Sequence, residues 1–79
     1  MTFGENLKRL RLLNNLTQDE VAEALQISRQ SISKWERDET LPVITFIVPL
    51  AKILNCNIVD LFETLDILLG QSISIVHSL

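Results

Sequence analysis

Residues 28–39 read "SRQSISKWERDE". An exposed helix usually carries glutamate–lysine pairs, but this segment gathers three hydroxyls, an amide, two guanidinium groups and an ammonium around one tryptophan. That set suits recognition by hydrogen bonding. Arginine can contact guanine bidentately and glutamine can contact adenine, each good pair adding about 1–3 kcal/mol of discrimination. Serine is short enough to reach either a base or a phosphate. Ser28, Arg29, Gln30, Ser33 and Lys34 are therefore the candidate base-reading residues. Catalysis finds no support: no histidine stands beside a nucleophile, no inward carboxylate pair lines a cleft, and no glycine-rich loop is placed to hold phosphate. The single cysteine, Cys56, has no second cysteine or histidine at metal-ligand spacing, so neither metal nor cofactor is expected.

These side chains can share one face only if a helix carries them. Ser28 reads as its N-cap, and Ile32 and Trp35, three apart, supply its buried side. Arg29, Gln30 and Ser33 then face outward near the N-terminal end, with Lys34 one turn on. Upstream, Thr17 reads as an N-cap with Glu20 as its capping-box partner, opening a helix that runs to about Leu25. Val21, Ala22 and Leu25 turn inward, and only Gln26 and Ile27 precede the next cap. Two short helices and a tight turn, the second helix polar outside, describe a helix-turn-helix. Ala22 lies at the crossing, where a small side chain allows close approach. Gln26 takes the left-handed turn position, which costs a non-glycine residue about 1–2 kcal/mol.

Three further helices frame this pair. Phe3, Leu7, Leu10 and Leu13 form an apolar stripe on the first, which Asn14 and Asn15 end. Leu41-Pro42 is a break. The fourth helix centres on Ile44, Ile47, Leu50, Ala51 and Leu54, with Thr45 as cap and Pro49 near its first regular turn, where proline is tolerated. Asn57 caps the fifth, with Asp60 as box partner and Ile58, Leu61 and Phe62 as its apolar side. After Gly70, residues 72–75 alternate as a short strand would. The expected class is all-α, a five-helix bundle at residues 1–66 with an apolar extension at residues 67–79.

The chain has 79 residues, 47% of them apolar, near the lower limit for a self-sufficient core. Some apolar surface is therefore expected to meet another subunit. No run approaches the roughly 20 apolar residues of a membrane span, and no signal peptide opens the chain. The reading is a cytoplasmic protein without membrane partners. The net charge of −3 is unevenly spread. Every basic residue except Lys52 lies within residues 1–37, while Asp38, Glu39, Asp60, Glu63 and Asp66 follow. A local basic face can contact phosphate despite a negative total, with modest nonspecific affinity and a shallow salt slope.

"LTQDEVAEALQISRQSISKWERDETLP", residues 16–42, resembles the lambda-repressor-like helix-turn-helix of the Cro/CI type, also called the xenobiotic-response-element family of bacterial and phage regulators. The likeness continues through "LAKILNCNIVDLF", residues 50–62. Asp38 departs from it, standing where the family often has glycine, as does Pro49 inside the fourth helix. The resemblance implies that Gln18 and the nearby backbone amides hold a phosphate, in keeping with the anion affinity of helix N-termini. Thr17, Ser31, Arg37, Thr40 and the Trp35 indole N–H are further candidate phosphate contacts. Arg11 and Glu36 match positions that often form a partly buried ion pair, fixing helix one against helix three.

The expected function is a sequence-specific transcriptional regulator, a repressor, binding double-stranded DNA as a homodimer on an inverted repeat. Helix five and residues 65–69 would supply the symmetric contact, with residues 73–76 pairing across the two-fold axis. The alternative is an antitoxin or interaction module whose apolar C-terminal part binds a toxin or an effector domain. By composition alone the outward face of residues 28–37 could be merely solvated. His77 reads as functionally silent.

Overall fold

Capping boxes start the first two helices. In the computed structural model, which describes residues 1–62, Thr2 Oγ1 accepts the Glu5 N–H at 3.1 Å while the Thr2 N–H donates to Glu5 Oε1 at 2.9 Å. This opens α1, Phe3–Leu13. Thr17 and Glu20 repeat the pattern at 3.0 and 2.8 Å and open α2, Gln18–Leu25. Ser28 opens α3, Arg29–Glu36, by accepting the Ser31 N–H at 3.2 Å. Gln26, at φ 60°, makes the left-handed turn between α2 and α3. Asn15 at φ 57° and Asn55 at φ 58° do the same after α1 and after α4, Ile47–Ile53. Helix α5, Ile58–Phe62, completes the described residues.

The start of α4 differs from expectation. Thr45 does not cap it: Ile44–Phe46 form a single 3-10 turn that runs directly into α4, and Phe46 occupies the cap position without a side-chain bond. Pro49 lies in the first turn of α4, where its missing N–H would have had no helical partner. Ile44 is 82% exposed, because the 3-10 turn points it away from the bundle. At α5, the Asn57 N–H donates to Asp60 Oδ2 at 3.0 Å, which is one half of a capping box.

Leu7, Val21, Ile32, Leu50, Leu54 and Leu61 are fully buried. Helix α1 packs on α3 and α5, α2 on α3 and α4, and α4 on α5. This is the all-α, lambda-repressor-like arrangement, with the inner side of α3 covered by its neighbours. Trp35 packs there 5.7 Å from the ring of Phe46, and Phe3 stacks 5.2 Å from Phe62. Leu13 is not part of this core and is 67% exposed. At 100° per residue Phe3, Leu7, Leu10 and Asn14 share a face, and Leu13 falls about 90° away. Asn14 takes the next place on the stripe and donates to the carbonyls of Leu10 at 2.8 Å and Leu54 at 2.7 Å. Asn6, fully buried, donates to the Leu61 carbonyl at 3.1 Å. Ile58 is 44% exposed, since α5 within the described residues is little more than one turn and commits Leu61 to the core.

The N-terminus of α1 meets the C-terminus of α3 at close range. A Cβ on Gly4 would lie 2.5 Å from the carbonyl oxygens of both Trp35 and Glu36. Asp38, left-handed at φ 59°, accepts the Gly4 N–H at 2.8 Å and the Thr2 hydroxyl at 2.6 Å. Aspartate tolerates that conformation better than most residues, and its charge suits a helix N-terminus. The strand expected at residues 72–75, the apolar residues 65–69, His77 and the boundary after residue 66 lie outside the described residues. Among the described residues no helix is long and apolar enough to cross a membrane.

Gly4→Ala is expected to destabilise the fold by about 1–3 kcal/mol, because the added methyl group meets backbone that cannot rotate away. Urea unfolding followed by circular dichroism measures it; an unchanged midpoint would contradict this packing.

Candidate nucleic-acid interface

The site starts from one carboxylate. Glu36 Oε2 accepts from Arg11 Nε at 2.6 Å, and Oε1 accepts from Arg11 Nη2 at 3.0 Å and from Gln18 Nε2 at 3.0 Å. The third Arg11 donor, Nη1, reaches the Leu16 carbonyl at 2.9 Å. The Arg11 and Glu36 side chains are only 9% and 5% exposed. The fork geometry is that of a charge-assisted bidentate pair. It joins α1, the turn before α2, the first residue of α2 and the last residue of α3. Arg11 is thereby withdrawn from solvent, and the Gln18 side chain is held at the α2 N-terminus.

That terminus retains an anion-binding character. The capping box uses the Thr17 and Glu20 N–H groups, and among the described residues those of Gln18 and Asp19 are the unused donors of the first turn. An open groove of about 550 Å³ lies beside them, bounded by Arg11, Leu12, Asn15, Leu16, Thr17, Gln18, Asp19 and Arg29. A second groove of about 480 Å³ runs along α3 between Asp19, Arg29, Gln30, Ser33 and Arg37.

Arg29, Gln30 and Lys34 are exposed on α3, and Ser33 is half-buried. Ser28 spends its oxygen on the helix cap and lies 3.2 Å from the half-buried Ser31 hydroxyl. Trp35 is 6% exposed, so its place is the core behind the groove. Thr40 is exposed in the loop that follows. Arg37 is engaged on its own chain: Nε and Nη2 donate to the two Glu39 oxygens at 2.7 and 3.3 Å, and Nη1 donates to Ser33 Oγ. The hydrogen bond from Arg37 holds the Glu39 carboxyl below its usual range and raises the guanidinium correspondingly. Arg29 Nε lies 3.9 Å from Asp19 Oδ1, a looser exposed pair.

Asp19 and Glu39, to which the sequence assigned no role at the site, pair with its arginines, and Asp38, the family departure, bonds the start of α1 beyond the end of α3. Their contacts cross between elements, so no local periodicity marks them; only the two-residue step from Arg37 to Glu39 is local. Cys56 is half-buried between α4 and α5, and desolvation pushes its thiol up, with Asp60 adding to the effect. A protonated thiol is a poor nucleophile. Among the described residues no group of three or more His, Cys, Asp or Glu side chains is placed to hold a metal ion.

Fold and site together define a helix-turn-helix protein of the DNA-binding kind, with α2 and α3 as its paired helices. The chain belongs to the Cro/CI-type helix-turn-helix family of transcriptional regulators, whose sequence profile matches residues 7–61. It is similar to the HTH-type transcriptional activator BcrR of Enterococcus faecalis, 38% identical over 63 residues covering 80% of this chain and 31% of that protein. It is also similar to the HTH-type transcriptional regulator DicA of Escherichia coli, 37% identical over 57 residues covering 72% of this chain and 42% of that one. An uncharacterised HTH-type transcriptional regulator of Methanocaldococcus jannaschii is 38% identical over 56 residues, covering 71% of this chain and 85% of its own length. The chain thus spans less than half the length of BcrR and of DicA.

Arg11→Met should destabilise the protein by about 3–5 kcal/mol by leaving Glu36 buried and unpaired, and Arg11→Met with Glu36→Leu should recover a large part of the loss. Chemical denaturation of the three proteins checks this; equal stability of the single variant and wild type would contradict a buried pair.

Proposed function

We propose that the chain is a sequence-specific transcriptional regulator that lays α3 in the DNA major groove. Arg29, Gln30, Ser33 and Lys34, with Ser28 at the helix start, read base edges. Thr17, Gln18, Ser31, Arg37 and Thr40 face the phosphates. The single observation that supports this most is the outward polar face of α3, fixed through Glu36 to the Gln18 end of α2. Helix N-terminal residues reach base edges in this docking, while an adjacent helix N-terminus meets the backbone.

A homodimer on an inverted repeat fits the surface. Ile58, Val59 and Phe62 are exposed on α5, beside the apolar residues that follow in the chain. A two-fold pair would set two reading helices about 34 Å apart, one turn of DNA. Repression is the proposed sign, since a dimer covering an operator excludes other proteins by occupancy alone. A toxin or an effector domain is the other candidate for the α5 face; the mass of the purified protein, alone and after mixing, separates these.

Selection of bound sequences from random DNA tests the reading. Arg29→Ala should flatten preference at about one base pair in each half-site, a loss of about 1–3 kcal/mol there. Gln18→Ala should weaken all sequences alike. An unaltered base preference in the Arg29 variant would defeat the assignment.

A further inference from the structure

We infer that Glu39 is a specificity-determining residue: it holds Arg37 along the reading helix, so that a matched DNA site releases the guanidinium more readily than an unmatched one. The inference rests on the proposed placement of α3 in the groove.

Arg29, Ser33 and Arg37 follow at four-residue steps and lie along one side of α3, where they line the same groove with Gln30 and Asp19. Arg37 therefore belongs to the reading stripe as much as to the loop. Three of its donors are already directed within the chain, two to Glu39 and one to the Ser33 hydroxyl. Ser33 in turn spends an acceptor on Arg37. The Coulomb pull of Lys34 on Glu39 adds to that of Arg37, so the carboxylate sits among the cations of this face. Asp19 stands against Arg29 in the same sense, at longer range.

Nonspecific DNA binding depends on cations free to neutralise phosphates. A guanidinium held in a carboxylate fork offers little to a passing phosphate, and the carboxylate itself repels the backbone. A matched site fixes the register of α3 and so brings a phosphate oxygen against Arg37 in set geometry as a competing acceptor. The exposed pair is weak enough to open for such a partner, because solvent screens both charges. Glu39 thus lowers binding to unmatched DNA more than binding to the operator. It is a positioning residue, acting through Arg37.

The test compares wild type, Glu39→Gln, Arg37→Ala and the double variant on two duplexes, one enriched from random DNA and one of scrambled sequence, over a range of salt. Glu39→Gln is expected to tighten binding to the scrambled duplex and to steepen its salt dependence by about one unit, the release of roughly one further counterion. The ratio of specific to nonspecific affinity should fall, and both effects should vanish in the Arg37→Ala background, as a double-mutant cycle requires. Asp19→Asn should act in the same direction and less strongly. An unchanged ratio in a protein that still selects its operator overturns the role of Glu39 alone. An equal gain with and without Arg37 also overturns it, since simple repulsion would then be the cause. A wild-type protein that shifts neither duplex overturns this inference together with the DNA-binding reading.

Discussion

The carboxylate of Glu36 holds three parts of the chain at once. It grips Arg11 from α1 in a bidentate pair and receives the Gln18 amide from the start of α2, while belonging itself to the end of α3. A pair this buried adds orientation more than stability, because well-packed apolar residues of like size often stabilise as well or better. What apolar residues would lose is direction. Arg11 also binds the Leu16 carbonyl, so the turn between α1 and α2 is held by the same guanidinium. The Gln18 side chain and the α2 amides thereby keep a set relation to the outward face of α3.

The other end of the arrangement is secured by close packing. Gly4 admits the backbone of Trp35 and Glu36, and Asp38 closes over the gap by accepting from Gly4 and Thr2. Below, Ile32 and Trp35 sink into the core. Asn6 and Asn14 satisfy backbone carbonyls of α5 and of the α4 end. Buried amides of this kind are costly when unpaired, so each also specifies where its partner must lie. α3 is thus held along its inner side and at its C-terminal end, and its N-terminal outward residues are left to meet a ligand.

Much of this was legible in the residues. Thr17 with Glu20, and Ser28 before Ile32 and Trp35, mark the starts of α2 and α3 by local chemistry that tertiary packing did not override. The same threonine–glutamate spacing at Thr2 and Glu5 is an equally clear start signal for α1. Gln26 takes the left-handed turn although it is not glycine. The misplacements have geometric causes. Leu13 keeps a three-residue step but has rotated off the stripe that Asn14 continues. Thr45 resembles a cap yet lies inside a 3-10 turn, a distinction that depends on how the chain leaves the Leu41-Pro42 break. At the site, residue types marked the outward face of α3, whereas the pairing of Arg29 with Asp19 and the capping of α1 by Asp38 arise only when separate helices come together.

The net charge of −3 also takes on a local meaning. Part of the negative charge stands directly beside the arginines on the outward face of α3, tempering that face without covering it. DNA is proposed to bind this face, oriented through Glu36. Titrating the isotope-labelled protein with a duplex enriched from random DNA, and following its backbone amides by NMR, tests this most directly. The largest shifts are expected at Gln18, Asp19, Arg29, Gln30 and Ser33, with the buried residues of α4 little moved. Shifts confined to Ile58, Val59 and Phe62, with α3 unmoved, would contradict it.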